Sequence, residues 1–306
     1  MSINPILSLC LPTNGIIEWV FPVLDNVYNQ EADIDEWEII VTDNGNNDEF
    51  QEKMYIYATE HKNLIYKKTN AYMFENQIEA LRLASGVYLK FLNHRSILEP
   101  GALQWMIDVV KSNIEDRPIM FFSNGALKYK NMRLYNSFDS FVKGLCEFAS
   151  WTTGVGVWKS DFEKIPTDWI YNKISPHSDV LFWVRDREKY LIDDKVWSHD
   201  IDTSHTKKGK YDLYKAFAVE EPSITLNLFI EGDISSLTLK YIIHRYERCV
   251  ARFYRLFNIF KDPCSYNLDG FNEAMGIFIM KYRVLLIAYL GVPKELIYRM
   301  LKKIFR

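Results

Sequence analysis

Three short polar stretches in this 306-residue chain carry side chains that could do chemistry. Pro12, Thr13 and Asn14 close one apolar run. Asp43, Asn44 and Asp48 close a second, and Asn93, His94 and Arg95 close a third. A carboxylate such as Asp43 can accept hydrogen bonds from a base N–H or from ribose hydroxyls. Its alternative duty is to cap its own turn, which Asp and Asn favour. The guanidinium of Arg95 is a planar fork of donors suited to phosphate oxygens, and His94 stands beside it. Asp179, in "PHSDVLFW", stands at a helix start, where Ser and Asp are favoured as caps. "HTKKGKYD" adds Lys207, Lys208 and Lys210 on a glycine-containing stretch, which either closes over an anion or forms a solvated charge run.

The elements that must position these residues alternate. Ile6 to Leu11, Trp37 to Val41, Leu64 to Tyr66 and Tyr88 to Leu92 read as strands, and Ile119 to Ser123 as a fifth. Helical spacing lies between them, in Ile16, Val20, Val23, Leu24 and Val27, and again from Glu75 to Ser85, with Pro100 and Gly101 opening a further helix. Such alternation predicts a mostly parallel sheet covered on both faces, with ligands bound beyond the carboxyl ends of its strands. The pattern loosens after Lys128 and turns helical from Leu237. The division expected is an α/β domain over residues 1–220 and a helical region over 221–306.

Composition narrows the classes. With 48% hydrophobic residues and a formal net charge of -3, the chain can bury a large core and has no general affinity for nucleic acid. Four scattered cysteines without a Cys-x-x-Cys pair argue against structural zinc and fit reduced thiols in the cytoplasm. No stretch reaches the roughly 20 apolar residues of a membrane span, and the N-terminus does not read as a signal peptide. In "PKELIYRMLKKIFR", residues 293–306, Leu296, Ile297, Met300, Leu301, Ile304 and Phe305 share a helical face beside Lys294, Arg299, Lys302, Lys303 and Arg306. A basic amphipathic helix of this kind suits either the inner face of a membrane or docking on a domain or second subunit.

Taken in order, "LSLCLPT", "WEIIVTDNGNND", "ENQIEALRLASGVYLKFL" and "ILEPGAL" resemble the family 2 glycosyltransferases, which have the GT-A fold. The resemblance is firm over residues 5–110, loose over 150–210 and absent from the C-terminal third. It implies a Rossmann-like α/β domain with a helical extension. It also implies transfer of a sugar from a nucleotide-sugar donor, UDP-linked by preference, to a glycan or lipid-linked glycan in bacterial surface polysaccharide synthesis, with inversion. Donor contacts carried over are Pro12, Thr13, Asn14, Asp43, Asn44, Asp48, Asn76, Asn93, His94, Arg95, His199, Lys207 and Lys208. The acceptor loop is "WTTGVGVW", with Trp151, Thr153, Gly154 and Trp158, although the tryptophans equally suit core packing. Asp179 is the base, with Asp168 and Asp200 as reserves.

One departure matters. The family's Asp-x-Asp corner, which holds a divalent manganese or magnesium ion, reads Asn93-His94-Arg95 here. Hard cations take anionic oxygen ligands. The expectation is therefore that no metal cofactor is required, with Arg95 neutralising the leaving diphosphate instead. A non-catalytic sugar-nucleotide or glycan-binding relative is the alternative. A nucleotidyltransferase would want a Gly-rich, basic loop after the first strand, which "LPTNGIIEW" lacks.

Overall fold

β1 (Leu7–Thr13) and β2 (Trp37–Asp43) are continuous apolar runs because both their faces are covered, and all but one of their fourteen residues are buried. They pair in parallel in the computed structural model, which describes residues 4–129, 131–201 and 211–304. β3 (Leu64–Lys68) and β4 (Tyr88–Phe91) extend the parallel sheet on either side. Three helices return the chain between them: α1 (Ile17–Tyr28), α2 (Asp48–Glu60) and α3 (Asn76–Leu83). α2 starts where the Asn47 side chain accepts the Phe50 N–H at 3.2 Å. After β5 (Ser96–Leu98), Gly101 adopts φ +72° to launch α4 (Ala102–Ser112). Leu9, Leu11, Val20, Leu24, Ile39, Val41 and Phe50 are fully buried in the resulting core.

Two strands differ from expectation. β6 (Ile119–Phe122) exists but lies in a separate sheet, ordered β6-β9-β7 with β7 (Arg133–Tyr135) and β9 (Tyr190–Asp193). The fifth strand of the main sheet, ordered β3-β2-β1-β4-β8, is β8 (Gly156–Trp158), antiparallel to β4. β10 (Ser198–Asp200) pairs with β5, placing Asp200 opposite Ser96. Between β7 and β9 run α5 (Phe138–Leu145), α6 (Lys159–Phe162) and α7 (Pro176–Leu181).

The chain forms two compact units, Met1–Ile201 and Asp202–Arg306. The sequence reading put that border at 220. The difference arises because α8 (Leu213–Lys215) winds on through a π-helical stretch, Ala216–Glu220, into α9 (Glu221–Ile230) and so joins the later helices. α10 (Ser236–Phe253), α11 (Phe271–Ala274), α12 (Lys281–Leu290) and α13 (Val292–Ile304) complete the second unit. Among the described residues no helix is long and apolar enough to cross a membrane.

The amino ends of the central strands are tied by one buried carboxylate. Glu38 accepts the Ser8 hydroxyl at 2.6 Å, the Ser85 N–H at 2.6 Å and hydroxyl at 3.0 Å, and the Gly86 N–H at 3.2 Å. A side chain at Gly86 would meet Ser8 Oγ at 2.5 Å, so only glycine fits. With that edge fixed, the opposite edge is free to carry polar loops.

Candidate active site

The carboxyl ends of β1, β2 and β4 bring together the three stretches singled out in the sequence. Thr13 and Asp43 are hydrogen-bond register partners across β1 and β2. Asn76 holds these ends. Its amide donates to the carbonyls of Thr13 at 3.1 Å and Thr42 at 2.8 Å, and its oxygen accepts the Thr69 hydroxyl at 2.8 Å. Every polar atom of the Asn76 side chain is thus spent inside the fold. That corrects its assignment as a donor contact: it positions the residues that could be one. Asn44 is similarly engaged, donating to the carbonyls of Ala71 and Met73 at 3.0 and 2.9 Å.

Asp43 is fully buried and performs the turn-capping that its residue type allows, Oδ1 accepting the Gly45 N–H at 2.7 Å. Oδ2 accepts the Tyr66 hydroxyl at 3.3 Å. Burial raises its pKa, opposed by the Gly45 N–H, by Lys68 and by Tyr66. The backbone closes tightly here, since a side chain at Gly45 would meet the Asn14 carbonyl at 2.0 Å. Asn14 and Asp48 are exposed at the rim and Pro12 is half-buried.

At the corner after β4, His94 Nδ1 lies 2.9 Å from Thr13 Oγ1, and its ring meets Trp19 edge-on with centroids 5.0 Å apart. Burial, aided by Arg95, depresses the imidazole pKa to about 3, so His94 is neutral. Arg95 Nε donates to Asp200 Oδ2 at 3.3 Å, and the Asp200 Oδ1 accepts the Ser96 hydroxyl at 2.7 Å. Among the described residues the two terminal nitrogens of the guanidinium have no partner, and Arg95 is half-buried. Asp200 is therefore a counter-ion to Arg95, which corrects its place as a reserve base. His199 is exposed and bonds Glu99 at 2.8 Å through Nδ1. Lys207 and Lys208 lie outside the described residues.

The family's divalent ion finds a poor set of donors here. Asn93 Oδ1 accepts the Arg95 N–H at 3.2 Å, His94 is turned to Thr13, and Arg95 contributes a positive charge. The carboxylates of Asp200 and Glu99 are occupied by Arg95 and His199. Among the described residues no cluster of three acidic, histidine or cysteine side chains could hold a metal. The residues present do not fit a hard cation.

Asp179 stands on α7, half-buried, with Oδ2 accepting the Asn172 N–H at 2.5 Å. Burial raises its pKa to about 6, against the opposing pull of that N–H. A carboxyl tuned this way suits a general base near neutral pH. α7 is anchored by the buried His177, which meets Gln77 Oε1 at 3.1 Å, the Ser150 carbonyl at 2.9 Å and Thr152 Oγ1 at 3.2 Å. Burial holds the His177 pKa down to about 4. Asp168 sits on an exposed stretch.

Most of the expected acceptor loop is core. Trp158 is 2% exposed, packs edge-on against Tyr88 at 4.9 Å and donates to the Pro118 carbonyl at 2.8 Å. A side chain at Gly154 would strike the Phe121 ring at 2.2 Å. Thr153 is buried as well. These three pack the fold and cannot touch an acceptor as they stand, which corrects that assignment. Trp151 alone is half-exposed.

One residue of consequence escaped the sequence reading. Lys90, in the middle of "YLKFL", is 1% exposed, and its ammonium donates to the carbonyls of Phe91 at 3.1 Å and of Thr153. It lies over the rings of Trp197 and Phe122, at 4.9 and 5.2 Å. It thereby ties β4 to the loop beneath α7. The available signal was a lone charge inside an otherwise apolar strand.

Residues 8–166, more than half of the chain, match the family profile described as glycosyl transferase family 2. The chain belongs to that family. Among solved structures it is similar to S. aureus TarS 1-349 in complex with UDP-GlcNAc, with TM-score 0.60 and 12% identity over 90% of this chain and 80% of that one. It is similar also to the mannosyltransferase PcManGT from Pyrobaculum calidifontis in complex with GDP-Man and Mn2+, with TM-score 0.53 and 14% identity over 85% and 73% of the two chains. At these identities the likeness is one of fold, and the fold is GT-A. No curated protein sequence matches the chain. The family 2 membership makes the chain a glycosyltransferase.

The buried lysine gives a pH signature. Desolvation lowers the Lys90 pKa from 10.5 to about 7 in the folded protein. Between about pH 7 and 10 the unfolded chain then binds the extra proton, so this group makes folding more favourable as pH rises and contributes no slope below 7. Lys90→Met is expected to flatten that rise. Urea unfolding of both proteins from pH 6 to 10 measures it, and parallel curves would remove Lys90 as the source.

Proposed function

We propose that this family 2 enzyme moves a sugar from a nucleotide donor, UDP-linked by preference, to a hydroxyl of a surface glycan, with inversion and without a metal ion. The observation that carries the reading is a cationic corner at the strand ends, where Arg95 keeps two nitrogens without a partner among the described residues, with a half-buried carboxyl of raised pKa on the same unit. In this reading the nucleotide lies along Pro12–Asn14 and the turn that Asp43 and Asn44 fix, above the Asp43–Tyr66 pair. The open nitrogens of Arg95 take the diphosphate oxygens. Asp179 accepts the acceptor hydroxyl's proton as that oxygen attacks the anomeric carbon from the face opposite the nucleotide. The bond from anomeric carbon to phosphate oxygen breaks, and its electron pair leaves on the diphosphate, where the guanidinium stabilises the growing charge. UDP-GlcNAc and GDP-Man in the two similar structures support a nucleotide-sugar donor of this general kind.

We further propose that α13 rests on an anionic membrane at the inner, cytoplasmic face. None of its residues is buried, and Leu296, Ile297, Met300, Leu301 and Ile304 are 47–72% exposed beside Lys294, Lys302 and Lys303. That is an apolar stripe with positive flanks. Co-sedimentation with phosphatidylglycerol vesicles, but not with phosphatidylcholine vesicles, is expected, with loss in Ile297→Asp/Leu301→Asp. Equal pelleting of the variant would reject the contact.

Transfer assays test the chemistry. Asp179→Asn should abolish transfer while UDP still binds, and Arg95→Ala should lower kcat by roughly 10²–10³-fold. Because Asp179 must be ionised, kcat/KM should rise with pH through about 6 and level above it. Turnover that EDTA abolishes and manganese restores would overturn the metal-free part.

A further inference from the structure

A cleft of about 560 Å³ opens in the first unit, lined by Lys67, Lys68, Arg82, Lys173, Trp169 and Tyr171. Its volume falls in the range of small-molecule sites, roughly 300–1,000 Å³. One end is set by Lys68, the register partner of Asp43 across β2 and β3. The other is set by Tyr171 and Lys173, which flank Asn172, whose N–H bonds Asp179. The cleft thus lies between the strand end that carries Asp43 and the stretch that bonds Asp179, while Thr13, Asp43, Asn93, Arg95 and Asp179 do not themselves line it.

Its charge is lopsided. Two carboxylates, Glu75 and Glu79, face four cations. Glu79 is shared between Lys67 at 3.7 Å and Arg82 at 2.8 Å, and Glu75 accepts the Tyr72 N–H at 3.3 Å. Lys68 donates to the Thr69 carbonyl and feels the buried Asp43 carboxylate without a hydrogen bond to it, and Lys173 has no carboxylate partner among the described residues. Trp169, 44% exposed, and the half-buried Tyr171 offer flat apolar surface beside these ammonium groups. Rings that can lie against sugar faces, next to cations that outnumber the carboxylates around them, make a site for a carbohydrate that itself carries negative charge.

We propose that this cleft holds the acceptor, and that the acceptor is an anionic glycan bearing carboxylate or phosphate groups. The proposal deepens the transferase reading and rests on its placement of Asp43 and Asp179. Anionic substituents settle on Lys67 and Lys173 at the exposed rim, with Lys68 behind them, and a neighbouring hydroxyl is presented to Asp179.

Binding to the intact chain is measured at low and high salt with a galacturonic acid hexamer, its neutral methyl ester, phosphorylated maltohexaose and plain maltohexaose, with UDP titrated separately. At least one charged oligosaccharide should bind about tenfold tighter than its neutral counterpart, and salt should erase the difference. Which charged probe wins tells carboxylate from phosphate. Lys67→Gln/Lys173→Gln, at two exposed positions, should lose the preference for charge and keep UDP binding. UDP binding with equal affinity for charged and neutral glycans overturns the cleft proposal alone, as does a variant that retains the preference. Charged-glycan preference without any UDP binding would support the cleft and overturn the UDP-donor part of the transferase reading.

Discussion

A single carboxylate, Asp200, holds the guanidinium of Arg95 by one nitrogen and leaves its two terminal nitrogens without a hydrogen-bond partner among the described residues. The two residues are 105 positions apart, and the short antiparallel pairing of β5 with β10 brings them together. Asp200 is about half-exposed, so the ion pair adds at most about 1 kcal/mol to stability. Its consequence is orientation. A guanidinium pinned at Nε cannot swing freely, and its two amino groups keep a fixed aim that a free arginine would lose to rotamer entropy. Every functional statement about the corner depends on that aim, because a cation that stabilises a leaving group must already be in place when charge develops.

The strand ends beneath the corner are held by saturated polar groups. Asn76 stitches β1 to β2 with its full complement of hydrogen bonds, and Lys90 joins β4 to the loop that supports α7. Buried polar groups of this sort stabilise little in net terms, and are costly if left unpaired. Their effect is to make the geometry unique. The raised pKa of Asp179 follows from the same packing, since the burial that fixes α7 also strips water from its carboxyl.

Much of the first unit was legible because buried parallel strands read as continuous apolar runs, and a residue at the end of such a run must emerge at one edge of the sheet. Thr13, Asp43 and Arg95 were placed in this way. The acceptor side was not legible. "WTTGVGVW" has glycines and tryptophans that fit a loop as well as a strand, and only the tertiary approach of Phe121 and Tyr88 turns Gly154 and Trp158 into packing residues. β8 is three residues long and antiparallel to its neighbour, too short for periodicity to reveal. Asn76 sat at a motif position and so was taken for a ligand, whereas its amide is consumed by backbone. Pairings such as Arg95 with Asp200 depend on long-range register, which no local pattern carries.

The most direct test is a crystal structure of the protein with UDP and excess manganese. The account predicts the terminal nitrogens of Arg95 at about 3 Å from the diphosphate oxygens, with Asp200 still on Nε and no manganese between Asn93 and the phosphates. A manganese ion seated at Asn93, with Arg95 folded away from the diphosphate, would contradict it.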